Sequence, residues 1–203
     1  MTRPLILASS SPGKWREFNA FFQAHAPAWE LRRMPSEIEV EETGTTFAEN
    51  ALLKARAVAK SLGEWAIADD SGLAVEALGG APGIRSARYA PNDAARIERL
   101  LREMEGIPNR RATFHCAIAL VDPQGVVHAL VEGVCSGEIL TQPRGEGGFG
   151  YDPLFWVPEV GLTFAEMSPA QKEAIGHRGR ALRALKAQLP LLEKRMGWLG
   201  SQE

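Results

Sequence analysis

The chain has 203 residues, 45% of them hydrophobic and 24% charged, with a formal net charge of −2. That length and apolar fraction suit one sizeable core without an independent second domain, and the near-neutral balance gives no global pull toward nucleic acid or an anionic membrane. No apolar run approaches the roughly 20 residues that span a bilayer, and the opening residues are too short for a secretory segment. The two cysteines, Cys116 and Cys135, lack motif spacing and fit a reducing cytoplasm better than a disulfide framework or a zinc site.

Leu5-Ile6-Leu7-Ala8 predicts a buried first strand. Ser9-Ser10-Ser11-Pro12-Gly13-Lys14 then turns into a helix whose apolar side takes Trp15, Phe18, Phe21 and Phe22. Small residues at a helix start let backbone N–H groups reach an anion, and Lys14 adds a charge. The same serines would also serve as an ordinary N-cap, and the Walker spacing is absent. A short strand over residues 29–34 precedes Ser36-Glu37-Ile38-Glu39-Val40-Glu41-Glu42, whose alternation predicts an exposed edge strand with a carboxylate face. Thr46-Phe47-Ala48-Glu49 reads as a capping box for a helix that buries Ala51, Ala55, Val58, Ala59 and Leu62 and runs to Gly63. Asn50 and Lys54 lie one turn apart on its polar face, where they either meet solvent or reach an anion.

Ala66-Ile67-Ala68-Asp69-Asp70-Ser71-Gly72 reads as a buried strand that delivers two carboxylates and a hydroxyl to a loop at its carboxyl end, where open α/β sheets carry their chemistry. Adjacent aspartates repel, and a divalent cation is the simplest offset; a solvated turn would carry the same letters. Gly79-Gly80 and Pro82-Gly83 predict a tight, non-helical path that carries Arg85, Arg88 and Tyr89, suited to a phosphate or a partner subunit. Asn92-Asp93 caps a helix with Ile97, Leu100, Leu101 and Met104 that contributes packing only. Residues 112–121 and 126–137 flank Asp122-Pro123-Gln124-Gly125 as a long antiparallel hairpin; in a simple register Cys116 faces Val131, and His115 is an ordinary strand residue.

Residues 143–155 are too rich in glycine for regular structure. There Phe149 or Tyr151 can stack on a flat ring and Asp152 can accept from its N–H groups, unless the aromatics simply cap the core. Ser168-Pro169-Ala170-Gln171 starts a helix carrying Lys172, and His177-Arg178 opens or continues one that buries Ala181, Leu182, Leu185 and Leu189. The tail, residues 198–203, is expected to fray.

Asp69-Asp70-Ser71-Gly72 and residues 78–89 occur in order with Ser9 to Lys14, Thr45-Thr46-Phe47-Ala48-Glu49-Asn50-Ala51, Phe149-Gly150-Tyr151-Asp152-Pro153 and His177-Arg178. Together they resemble the Ham1/RdgB family of inosine/xanthosine triphosphate pyrophosphatases over nearly the whole chain. The elements themselves give an α/β mix. The resemblance implies a long, twisted mixed sheet flanked by helices, with two lobes around an active-site cleft. It implies a magnesium-dependent pyrophosphatase that cleaves ITP, dITP and XTP to the monophosphate and pyrophosphate as a homodimer, while the composition and cysteine usage predict the cytoplasm.

By resemblance the cation is held by Asp70 and by an acid of the pair before Thr43-Gly44, Glu41 being favoured and Glu42 its rival. Asp70, Lys14 and Lys172 would be catalytic, Asp70 as base and the lysines, with Arg178, stabilising developing charge. Ser9, Ser10, Ser11, Pro12, Gly13, Lys14, Ser71, Phe149, Gly150, Tyr151, Asp152, Lys172, His177 and Arg178 would contact the nucleotide, with His177 or Arg178 donating to the purine 6-oxo group. Two departures stand out: Ser9-Ser10-Ser11 replaces the family's usual Thr-Gly-Asn, and Gly176-His177-Arg178 replaces Ser-His-Arg. The serine form resembles the related Maf family, so a Maf-like pyrophosphatase acting on pyrimidine nucleotides is one alternative. A nucleotide-binding regulator without turnover is another. A serine hydrolase is disfavoured, since Ser71 lacks the G-x-S-x-G setting.

Overall fold

Period-two and period-3.6 stretches alternate along the chain, and the computed structural model, which describes residues 2–197, folds them into strands and helices accordingly. The tail expected to fray lies outside the described residues. β1 (Arg3–Leu7) sits between β2 (Trp29–Arg33) and β3 (Trp65–Val75) and is parallel to both, Leu5 pairing with Leu31 on one side and Trp65 on the other. β4 (Arg111–Val121) and β5 (Val127–Ile139) follow, and β6 (Phe155–Val157) and β7 (Leu162–Thr163) add on antiparallel. The sheet order is β2-β1-β3-β4-β5-β6-β7. With α1 (Pro12–His25), α2 (Phe47–Leu62), α3 (Asp93–Glu103), α4 (Pro169–Ile175) and α5 (His177–Arg195), this is a mixed sheet flanked by helices, the α/β class expected.

Helix starts are set by short polar side chains that take an otherwise unsatisfied N–H. Ser11 accepts from Lys14 N at 3.4 Å, Thr46 from Glu49 N at 3.1 Å, Asn92 from Ala95 N at 2.9 Å and Ser168 from Gln171 N at 3.2 Å. The box at Ser168 is reciprocal. The one at Thr46 is displaced by a residue, because the Glu49 carboxylate reaches back to Thr45 N and Oγ1. α2 ends on Gly63, whose φ of 65° only glycine adopts without cost.

Several expectations are corrected. Residues 36–42 form no strand; Ile38 and Val40 are half-buried against the cluster around α2 while Glu37, Glu39 and Glu41 face out, so the alternation reports one-sided burial without a ladder. Asp69-Asp70-Ser71-Gly72 is not a loop, because Leu73 and Val75 resume the buried period and β3 runs through to Val75. The path after it is two 3₁₀ turns, Glu76–Leu78 and Gly83–Arg88, with a cis Ala81-Pro82 bond between them. Trp15 is half-buried beneath the Arg33 guanidinium, 4.3 Å from its ring, and is no core residue.

The described residues divide into two compact units, each assembled from separated stretches: residues 2–70, 117–132 and 181–197, and residues 71–116 and 133–180. In the first, α2 lays Ala51, Ala55, Val58 and Ala59 against Ile6, Ala8, Ala66, Ala68, Ala117, Ala119 and Val121. Alanine on both surfaces allows a close approach of helix to sheet, which brings Asn50 and Lys54 on the flank of α2 within reach of β3. Strand alternation turns Leu5, Leu7, Ile67, Ile118 and Leu120 to the opposite face, also buried. The turn between β4 and β5 is held by Asp122, whose Oδ1 accepts from Gln124 N and Val126 N at 2.9 Å each and whose Oδ2 lies 2.8 Å from His128 Nε2.

The second unit packs Leu73 and Val75 with Leu100, Met104, Phe114, Tyr151, Phe155 and Phe164. Phe114 meets Phe155 edge-on at 4.7 Å and lies flat on His177 at 4.5 Å. Such pairs contribute about 0.5–1.5 kcal/mol beyond the area they bury. Cys116 and Cys135 are buried thiols.

Candidate active site

Asp69 and Asp70 are neighbours inside a strand, so their side chains leave β3 on opposite faces. Asp69 is fully buried and meets Lys14 from the first turn of α1, whose Nζ lies 2.9 Å from its carboxylate and 3.4 Å from its carbonyl oxygen. Asp70, 6% exposed, faces α2: Lys54 Nζ donates to Oδ1 at 2.9 Å and Asn50 Nδ2 to Oδ2 at 3.3 Å. The same ammonium donates to Glu42 Oε1 at 2.6 Å. Gly44 N donates to Asn50 Oδ1 at 2.8 Å, which leaves the amide nitrogen for Asp70. Two lysines therefore offset the repulsion of the adjacent carboxylates.

Burial pushes the Asp70 carboxyl above its ordinary value, with Lys54 and then Lys14 pulling the other way. Burial lowers the Lys54 ammonium, but Asp70, Asp69 and Glu42 outweigh it and hold it above its ordinary value. The pair is uneven: the ammonium is kept charged more firmly than the carboxylate. A carboxyl so placed is a suitable proton acceptor.

Of the rival acids, Glu42 is the one brought to Asp70, through Lys54, while Glu41 is exposed. Asp70 and Glu42 flank a single ammonium, so the place between them already accommodates positive charge in a hard-oxygen setting. No group of three or more Asp, Glu, His or Cys able to cage a metal occurs among the described residues. A magnesium-type ion usually takes one or two carboxylates and completes its shell with phosphates and water, and Asp70 and Glu42 are two such carboxylates.

Serines 9–11 connect β1 to α1. Ser11 N donates to Ser9 Oγ at 3.2 Å, Gly13 is buried, and Ser10 and Pro12 are exposed beside the first turn of this 14-residue helix. The local N–H groups and Lys14 make an anion-favouring end.

In the second unit the glycine-rich loop runs close to its neighbours. A Cβ on Gly145 would come within 2.6 Å of the Ala165 backbone, and one on Gly148 within 2.0 Å of Asp152 Oδ2. Asp152, 3% exposed, accepts from Phe149 N at 2.9 Å and from Lys172 Nζ at 2.6 Å. The turn leaves the Phe149 ring half-buried, with Lys172 Nζ 4.7 Å and Arg178 Cζ 5.7 Å from its centroid. Gly150 N donates to Asp93 Oδ2 at 2.7 Å, so α3 holds this loop and does more than pack.

One expected nucleotide contact is corrected. Tyr151 does not present its ring: it is a core residue whose hydroxyl donates to Ser86 O at 2.9 Å. His177 lies buried with one ring face flat on Phe114, and Phe164 is 5.8 Å away in the same aromatic cluster; this packing orients the ring whose N–H the resemblance assigns to the 6-oxo group. Arg178, also buried, donates from Nη2 to Ser71 Oγ at 2.9 Å, on the residue that follows Asp70 in β3. Sequence reasoning left Asn50 and Lys54 undecided and missed Asp93. The four-residue spacing on one flank of α2 was the available signal for the first two; nothing local marked the third.

A sequence profile described as the Ham1 family matches residues 5–188. The chain is 55% identical over 185 residues to the dITP/XTP pyrophosphatase of Nostoc sp., covering 91% of this chain and 93% of that one. It is 50% identical over 192 residues to the dITP/XTP pyrophosphatase of Geobacillus kaustophilus, covering 92% and 94%. Among solved structures it is similar to the Ham1 protein of Staphylococcus aureus, with a TM-score of 0.82 at 43% identity over 93% of this chain and 98% of that one. A HAM1 protein from Coxiella burnetii gives 0.83 at 42% identity over 94% and 99%.

Proposed function

The chain belongs to the Ham1 family, and on that premise we propose that it hydrolyses non-standard purine nucleoside triphosphates (dITP, XTP and ITP) to the monophosphate and pyrophosphate, clearing them from the nucleotide pool. The observation that carries the reading is the setting of Asp70: a buried carboxyl with a raised pKa, bonded by Lys54 and Asn50 and sharing its ammonium with Glu42.

Asp70 and Glu42 would hold a magnesium ion, which when bound supplies charge neutralisation at the phosphates and a template for in-line attack. Asp70 accepts the proton of the attacking water. Lys14, the serine N–H groups and the start of α1 bind phosphate oxygens, and Lys54 steadies the acid pair. Lys172 is the further cation for charge that develops at the leaving group. Phe149 offers the ring for base stacking, and Arg178 donates to the 6-oxo group. A cytoplasmic homodimer belongs to the same proposal; the two buried thiols suit a reducing compartment, and exposed Arg85 and Arg88 on the Gly83–Arg88 turn suit a subunit contact. No described helix is long and apolar enough to cross a membrane.

The test is pyrophosphate release from dITP, XTP, ITP, ATP, GTP and dTTP, with and without EDTA. Release confined to the first three and abolished by EDTA is expected. Preference for the pyrimidine would favour a Maf-like activity, and binding without turnover a regulator.

A further inference from the structure

No residue of α4 is fully buried, and Ile175 alone of this seven-residue helix packs, half-buried, against the core of the second unit. Beyond that contact its placement is set at its C-terminal end, where a one-residue joint at Gly176 leads into α5. The start of α5 is anchored, since His177 and Arg178 are both 3% exposed, the first flat on Phe114 and the second bonded to Ser71.

At this joint the two helices meet backbone to backbone. A Cβ on Gly179 would stand 1.8 Å from the Glu173 carbonyl oxygen, and one on Gly176 would stand 2.5 Å from that of Lys172. The Glu173 oxygen is a main-chain atom of the other helix that no rotamer change can move, whereas the Lys172 oxygen is the partner of Gly176 N within α4 itself. Neither glycine has a positive φ, so what each contributes is a missing side chain, not an unusual conformation.

We propose that Gly179 is the positioning residue for Lys172. By admitting the Glu173 carbonyl to the first turn of α5, it holds α4 where Lys172 Nζ reaches Asp152 Oδ2 at 2.6 Å and stands 4.7 Å from the Phe149 ring centroid. A methyl group at 179 forces that carbonyl away by at least 1.2 Å to regain even a tight 3.0 Å contact. With α5 anchored, the displacement falls on α4, and Lys172 is the residue before Glu173. A misplacement of about 1 Å in a reacting group can cost about 100-fold in rate. The size of the kinetic effect rests on the pyrophosphatase reading, whereas the placement of Lys172 does not.

The test compares Gly179→Ala, Lys172→Ala and the double variant, each shown folded by its melting curve, for pyrophosphate release from dITP. Gly179→Ala is expected to lower kcat/KM by about 100-fold. The double variant should fall no more than about threefold below Lys172→Ala, because residues acting through one contact are not additive. A crystal structure of Gly179→Ala should show the Lys172 to Asp152 bond broken and the Arg178 to Ser71 bond intact. Parental kcat/KM in Gly179→Ala, losses that multiply in the double variant, or a retained Lys172 to Asp152 bond would each overturn the proposal. A Gly179→Ala protein that does not fold would overturn the proposal as well, because the glycine would then serve the fold as a whole and not the placement of Lys172. A parent that releases no pyrophosphate from dITP would sink the functional reading alone, and the crystal structure would then decide the role of Gly179.

Discussion

The Lys54 ammonium and the Asp70 carboxylate lie 2.9 Å apart, and the same ammonium holds Glu42 at 2.6 Å. A lysine thus occupies the charge position that a divalent cation would share. Lys54→Met should lower the melting temperature by about 6–12 °C, from about 3 kcal/mol for breaking a buried pair and 2–4 °C per kcal/mol at this chain length. Magnesium should then raise the melting temperature of the variant more than that of the parent. Equal shifts in differential scanning fluorimetry would mean that Lys54 does not compete with the ion.

Asp70→Asn preserves volume and deletes the base. A loss of kcat on the order of a thousandfold is expected for dITP, in a protein that still melts cooperatively. Near-parental turnover would remove Asp70 from the chemistry.

Arg178 is the donor proposed for base selection. Leaving its partner unsatisfied costs about 1–3 kcal/mol, so Arg178→Ala should cut kcat/KM for dITP by tenfold to a hundredfold more than for dATP. Equal fractional losses on the two substrates would assign Arg178 to the phosphates alone.

Burial pushes the Asp122 carboxyl up, but the bonds from His128 and from the Val126 and Gln124 N–H groups outweigh it and hold it below the ordinary carboxylate range. Because the folded pKa is depressed, the stability it contributes is full above about pH 4, the unfolded value, and is lost as pH falls through the folded one. Asp122→Asn should therefore melt below the parent at pH 7, and the gap should narrow steadily as pH falls below about 4. A gap of constant size across that range would show that the carboxylate charge contributes nothing to the turn.

Helix caps, strand cores and the hairpin were legible because their causes are local: a serine three residues before an N–H, a glycine at positive φ, or an apolar period. The site was less so. Asp69 and Asp70 look like a solvated turn until lysines 55 and 16 residues away are counted, and no local pattern sums charges over that distance. Alternation over residues 36–42 recorded one-sided burial correctly but could not report whether a neighbouring strand was there to pair. Phe149 and Tyr151 are interchangeable as letters, and only the distance from the Tyr151 hydroxyl to Ser86 O assigns one to the core and leaves the other for a ligand.

Because β3 runs unbroken from Trp65 to Val75, the fate of each acid depends on parity. Removing one residue between Trp65 and Asp69 while the strand stays paired to β1 would turn every later side chain to the other face. Asp70 would point at Lys14, Asp69 at the α2 flank, and Leu73 and Val75 out of their core. Single-residue insertions or deletions should therefore be accepted in the turn at residues 122–126 and rejected in β3. Lineages of this protein can be expected to vary in length at that turn while keeping the count from Trp65 to Val75 fixed.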